Sequence, residues 1–167
     1  TFNKLEGCTY IEPFAGGAGV ALGLLLNGVV DNIIINDYDK AIYAFWYSVL
    51  NRTEELCNMI LLTNITIDEW YKQKEIYSKS NDLLELGFAT FFLNRTNHSG
   101  IIKGGVIGGL QQQGKYKIDC RFNKIDLVNR IKRIVLYKQQ INLHCMDASE
   151  LIKKVIPQKY LLHSLGV

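Results

Sequence analysis

Two clusters in this sequence of 167 residues combine types and spacing that could do chemistry. The first is Gly16-Gly17-Ala18-Gly19, with Glu12 ahead of it and Asp37 standing 18 positions after Gly19. Glycines reach backbone angles closed to other residues and leave no side chain in the way. A glycine turn that leads into a helix presents bare N–H groups to an anion or a polar ligand edge. In doubly wound folds an acid at the end of the following strand reaches ribose hydroxyls, which is the role the position of Asp37 fits. The second cluster is Asn94-Arg-Thr-Asn-His-Ser-Gly100. Asn, Arg, Thr and Ser suit phosphate oxygens, and Arg and Asn also read base edges.

Each cluster has a plainer reading. The glycines would also make an ordinary strand-to-helix turn, or a nicotinamide dinucleotide site. The fingerprint of that site is Gly-x-Gly-x-x-Gly, whereas the spacing here is Gly16-Gly17-x-Gly19 and then Gly23. Asp37 would also serve as an N-cap for a helix beginning near Asp39, a task open equally to Asn36 or Asp39. The side chains of 94–100 would also satisfy the carbonyls at a helix C-terminus, and His98 alone reads as a surface or hydrogen-bonding residue.

The elements that position these residues follow from pattern. Thr9, Tyr10 and Ile11 are strand formers, and Val20 to Leu26 is an apolar run of helical length stopping at Asn27-Gly28. Asn32 to Asp37 is a second strand. Asp39 to Leu50 reads as a helix whose Tyr43, Phe45, Trp46 and Tyr47 belong to a core-facing stripe. A short helix over Glu54–Leu62 follows. Thr66-Ile-Asp-Glu69 is a capping box opening a helix to about Ser78, with Trp70 and Tyr71 in its first turn. Lys79-Ser-Asn-Asp82 is a polar break, and Leu83 to Leu93 is helical again. This run of helices interrupts the strand–helix alternation. Gly100 to Lys117, rich in glycine, reads as a flexible hairpin or loop, poorly ordered without a partner. Asp126 to Tyr137 is an amphipathic helix with Leu127, Ile131, Ile134 and Val135 inward. Ile141 to Met146 is a third strand, and Asp147 caps a helix over Ala148–Val155 with Glu150 completing a box-like pair.

Bulk properties narrow the class. An apolar fraction of 48% over 167 residues supports one compact domain, and two prolines argue against long disordered linkers. No apolar run of about 18 residues would cross a bilayer. The chain opens with no signal peptide, and Thr1–Gly7 is expected to fray. Cys8, Cys57, Cys120 and Cys145 are widely spaced without a Cys-x-x-Cys pair, which favours reduced, mostly buried thiols in a cytoplasmic protein over a zinc site. Net charge is +3 but uneven. Between Lys115 and Lys138 eight basic residues stand against Asp119 and Asp126, the composition of a phosphate-binding face or of a solvated helix.

Glu12-Pro-Phe-Ala-Gly-Gly-Ala-Gly19, then Ile35-Asn-Asp37, then Phe91-Phe-Leu-Asn-Arg-Thr96 with Ser99-Gly100 resemble, in this order, the Dam-type adenine-specific DNA methyltransferases. The resemblance runs from about Tyr10 to Leu151. It implies an α/β fold: a partial Rossmann-like methyltransferase sheet, residues 1–51 and 124–167, with an inserted helical target-recognition subdomain, 52–123. It implies S-adenosylmethionine as cofactor, held by Glu12, Pro13, Phe14, Ala15, Gly16, Gly17 and Gly19, with Asp37 on the ribose and Asp147 accepting from the adenine amine. Tyr38, just after the acid, would lie against that adenine. Double-stranded DNA is the implied partner, met by Asn94, Arg95, Thr96, Ser99 and Lys103, with Lys115, Lys117 and Arg121 along the phosphate backbone. No membrane partner or metal is expected, and a monomer is compatible.

The chain departs from the family pattern in two places. It lacks the upstream Gly-Gly-Lys-type segment and the Asp-Pro-Pro-Tyr motif, which in the family holds the flipped adenine and accepts a hydrogen bond from its exocyclic amine. The expectation is a chain cut short before that motif and weak in catalysis alone. Leu161-Leu-His-Ser-Leu has strand character and offers only His163 and Ser164 in the motif's place. The rivals are a non-catalytic module that binds cofactor or DNA and, further off, a nicotinamide-dependent oxidoreductase.

Overall fold

The computed structural model describes residues 6–155. The expectations for the first residues, and for the strand-like stretch with His163 and Ser164, lie outside the described residues. Among the described residues the chain is mixed α/β, with seven α-helices and three strands. It divides into two compact units. One comprises the described residues up to Tyr43 and those from Tyr137 onward; the other is Ala44–Leu136.

The first unit is a small parallel sheet with helices between its strands. Strand β1 (Thr9–Glu12) leads through the glycine turn into helix α1 (Gly19–Leu26). Strand β2 is Asn32–Asn36 and strand β3 is Ile141–His144. The order is β1-β2-β3, all parallel, with Ile11 opposite Ile34 and Ile34 opposite Asn142. Short apolar strands buried under helices are what a parallel sheet requires. Ile33 and Ile35 are fully buried in β2, and α1 contributes Ala21 and Leu25 to the same core. Helix α1 ends as its sequence predicts: Gly28 takes φ +66°, and the N–H groups of Gly28 and Val29 donate to Leu25 and Leu24 carbonyls. The helix over Ala148–Val155, α7 below, closes the unit with Leu151 inside.

Helix α2 (Lys40–Asn51) carries the chain into the second unit, where α3 (Thr53–Leu62), α4 (Ile67–Lys79), α5 (Leu83–Thr96) and α6 (Lys124–Val135) follow. Their starts are set by side-chain caps: Thr66 accepts from Glu69 N–H, Asp82 from Leu84 and Glu85 N–H, and Asn123 from Asp126 N–H. The return half of the predicted box at Thr66 differs: Glu69 accepts from the Gln73 amide and pairs with Lys72. Phe88 and Phe92 of α5 are buried, each worth about 2 kcal/mol of apolar transfer. Phe92 also meets Phe122 at 5.5 Å between ring centres, and Phe45 stacks on Phe91 at 5.6 Å. Helices α2 and α5 cross so closely that a Cβ on Gly87 would lie 2.5 Å from the Ala44 carbonyl oxygen and 2.6 Å from the Ser48 hydroxyl.

Three expectations are corrected. Helix α5 runs one turn past Leu93, so Asn94, Arg95 and Thr96 are its last turn. The segment 100–117 forms no hairpin ladder; a single antiparallel bridge joins Asn97 to Val106, and the rest is a turn-rich loop held by side chains. Its glycines spoil strand pairing, and Gln112 supplies what a ladder would have. The Gln112 side chain donates to Ile107 and Gly109 carbonyls and accepts from Ile118 N–H. Finally, Cys8, Cys120 and Cys145 are exposed and only Cys57 is buried; all four are free thiols.

Candidate functional site

The glycine turn is built on two fixed backbone angles: Gly16 at φ +47° and Ala18 at φ +48°. Gly16 has the freedom for this; Ala18 is held there by its N–H bond to the Ala15 carbonyl and by full burial. Ala15 N–H donates to the Asn36 carbonyl at 2.8 Å, which locks the turn to the end of β2. The Gly16 N–H then donates to Asp37 Oδ2 at 2.9 Å, and the other oxygen accepts from Asp39 N–H at 3.0 Å. Asp37 therefore stands against the turn, while the capping of α2 falls to Asp39, which accepts from Ala41 N–H. Each Asp37 oxygen keeps a lone pair for a hydroxyl donor. Glu12 is not idle either: its Oε2 accepts from Ala21 N–H at 2.8 Å and caps α1.

The three strands end together at one edge of the sheet. Glu12 ends β1, and Asp37 and the Cys145–Asp147 segment follow the C-terminal ends of β2 and β3, where open α/β sheets place their ligands. Asn36, which the sequence offers only as a possible cap for the next helix, joins them. Asn36 is fully buried, and its amide donates to Pro13 and Met146 carbonyls at 2.9 Å each and accepts from Met146 N–H at 3.0 Å. Only its place at the end of an apolar strand hinted at it.

The surface above this edge is open. Phe14 is 77% exposed and Tyr38 75%. A Cβ added to Gly17 or Gly19 would meet no atom of the described residues within 4 Å, so their packing does not demand those glycines. Asp147 accepts from Ser149 N–H at 2.8 Å and from the Ser149 hydroxyl, and it caps α7. That hydroxyl, with the Ser149 N–H, holds the carboxyl below its ordinary range, and Asp147 Oδ2 faces no protein donor among the described residues. His144 is held below its usual range by burial and by Lys154. Burial raises the Cys145 thiol, and Asp37 and Asp39 raise it further.

In the second unit the last turn of α5 accounts for its own carbonyls. Leu93 accepts from Asn97 N–H, Thr96 from Ile107 N–H at 2.9 Å, and Asn94 and Arg95 from the guanidinium of Arg121. Thr96 is fully buried and donates its hydroxyl to Phe92 at 2.8 Å. Asn97, also fully buried, accepts from the Trp70 indole at 2.6 Å and donates to Ile101 and Ile102 carbonyls. Asn94 donates to the Gly100 carbonyl at 3.0 Å. Ser99, with φ +54°, lines an open cleft of about 610 Å³ together with His98, Lys115, Tyr116, Cys120 and Arg121.

The basic residues divide. Lys117 donates to the Gln112 carbonyl, Lys124 to the Leu61 carbonyl at 2.8 Å, and Lys132 pairs with Glu54 at 3.6 Å. Lys103 and Lys115 are exposed, the latter 5.7 Å over the Tyr116 ring. Burial, with Arg121 and Arg130 beside it, weakens the hold of Arg95 on its proton, and only Asp126 offsets this.

The sequence from residue 2 to 161 matches the family model of the D12 class N6 adenine-specific DNA methyltransferases. The chain belongs to that family, as the order of its motifs implied. Among curated proteins none matches.

Proposed function

We propose that the first unit seats S-adenosylmethionine and that an inserted target-recognition region within Ala44–Leu136 grips duplex DNA, the two together serving methyl transfer to the exocyclic amine of adenine. The cofactor supplies an electrophilic methyl group on sulfur; the chain supplies placement. The observation that carries the cofactor reading is the Asp37–Gly16 contact at the C-terminal edge of a parallel sheet. The open space over Gly17 and Gly19 fits a ligand there, because side chains at those positions would project into it. Asp37 takes the ribose diol, the amides of Gly17 and Gly19 face the carboxylate of the amino-acid moiety, and Phe14 and Tyr38 offer aromatic faces to the adenine ring. Asp147 accepts from the adenine amine through its second oxygen. Family membership supports adenine in DNA as the methyl acceptor. Asn94, Arg95, Ser99, Lys103 and Lys115 are the proposed DNA contacts: Arg95 is half-buried and the other four are exposed. Asp147 serves the cofactor's adenine, and no residue of the chain is given the role of accepting a hydrogen bond from the amine of the target adenine.

Calorimetric titration with S-adenosylmethionine tests the first half. The wild-type chain should release heat in the millimolar range, and Asp37→Ala should bind roughly tenfold more weakly, the worth of one charge-assisted hydrogen bond. Absence of heat with wild type overturns the cofactor reading. Salt-dependent binding of a duplex, followed by fluorescence anisotropy, tests the second half.

A further inference from the structure

The sequence places Arg121 among residues that would follow the phosphate backbone, but two nitrogens of its guanidinium are taken up by carbonyls at the end of α5. Nη2 donates to the Asn94 carbonyl at 2.8 Å and to the Asn97 carbonyl, while Nε donates to the Arg95 carbonyl at 3.3 Å. The Arg95 Nε returns a bond to the Arg121 carbonyl at 3.1 Å. One planar fork thus bridges three carbonyls across the last turn of α5 and the residue after it, where a cation is also favoured by the helix dipole. A lysine ammonium could not span the same three acceptors from one rigid plane. The residues so held are the ones proposed to meet DNA. The terminal nitrogens of Arg95 have no protein acceptor among the described residues, and its Nε is pinned by Arg121. The Asn94 amide donates to the Gly100 carbonyl and Gly100 N–H to the Asn97 carbonyl, and Ser99 sits in that turn.

We infer that Arg121 is a positioning residue for DNA recognition: it holds Asn94, Arg95 and Ser99 in the pose that reads the duplex, and makes no phosphate contact of its own. This rests on the DNA half of the reading above. It predicts a separation of two quantities. Removing a phosphate contact weakens all sequences alike and lowers the salt slope of binding by about one; disturbing a reading surface reduces discrimination and leaves the slope alone.

The test uses the full chain and a random 20-base-pair duplex library. The duplex most enriched by wild type is compared with a scrambled duplex of the same composition. Arg121→Lys keeps the charge and loses the fork. It should bind the scrambled duplex as wild type does, with an unchanged salt slope, and lose about tenfold in preference for the enriched one. Preference equal to wild type overturns the inference, and so does a wild type that binds but enriches nothing. If R121K does not fold, judged by its melting transition, Arg121→Gln takes its place. A salt slope equal to that of wild type then supports the positioning role, and a slope lower by about one overturns it in favour of a phosphate contact. Failure of wild type to bind any duplex defeats the DNA reading itself and this inference with it.

Discussion

The two polar regions of this molecule, the glycine turn of the first unit and the 94–121 stretch of the second, are held by the same device used at different range. Each has a fully buried asparagine whose amide donates to two carbonyls and accepts one N–H. Asn36 reaches partners 23 and 110 positions away, so the turn it supports exists only once the sheet has assembled. Asn97 reaches carbonyls four and five positions on, plus one indole 27 positions back. The 94–121 stretch is therefore pinned largely by its own neighbourhood. The contrast teaches that a surface loop in this fold takes its shape from amides beneath it, and that the range of those bonds decides what else fails with it.

The sharpest way to break the comparison is Asn36→Ala. It strips partners from two carbonyls and one N–H, a cost of about 3 kcal/mol, and should lower the melting temperature by roughly 10 °C and abolish the heat of cofactor binding. A variant melting within about 2 °C of wild type would show the long-range staple to be dispensable. Asn97→Ala comes next. It orphans the Trp70 indole and two carbonyls, a similar cost of about 3 kcal/mol, but it should touch one function only: duplex binding weakens while the cofactor titration stays as it was. Equal losses in both titrations would erase the distinction between the two regions.

The smallest effect concerns pH. Burial depresses His144 in the folded chain, so the unfolded chain binds more protons on the acid side of the ordinary histidine value. Stability contributed by the neutral imidazole is fully present above about pH 6.5 and is lost as pH falls through that value toward the folded one. His144→Gln should flatten the stability curve there; an unchanged slope in urea unfolding between pH 7 and 5 removes His144 as its source.

How much of this was legible beforehand depends on the range of the bonds involved. The glycine turn, the helix stop at Asn27-Gly28, and the caps at Thr66 and Asp147 were readable, because each is settled within about four residues. The placement of Asp37 beside the turn was expected from spacing, and the Gly16 bond accords with it. The bracing done by Asn36, Asn97 and Gln112 was not readable: Asn36 offered itself only as a helix cap, and Asn97 only as one member of a polar cluster. Asn36 works mainly through partners far along the chain. Asn97 and Gln112 work through turns that no local pattern announces. Arg121, Lys117 and Lys124 have the composition of a phosphate-facing surface, and each also donates to a carbonyl of the second unit. Residue type alone cannot tell a cation aimed at solvent from one aimed at a helix end.

Position 87 carries a consequence of another kind. Where α2 and α5 touch, hydrogen is the largest group that fits between a carbonyl oxygen and a hydroxyl. A lineage drifting at this codon has no neutral step open to it until a second change has already moved the backbone of α2 at Ala44 away from the crossing. The order in which such substitutions accumulate is thereby fixed by sterics.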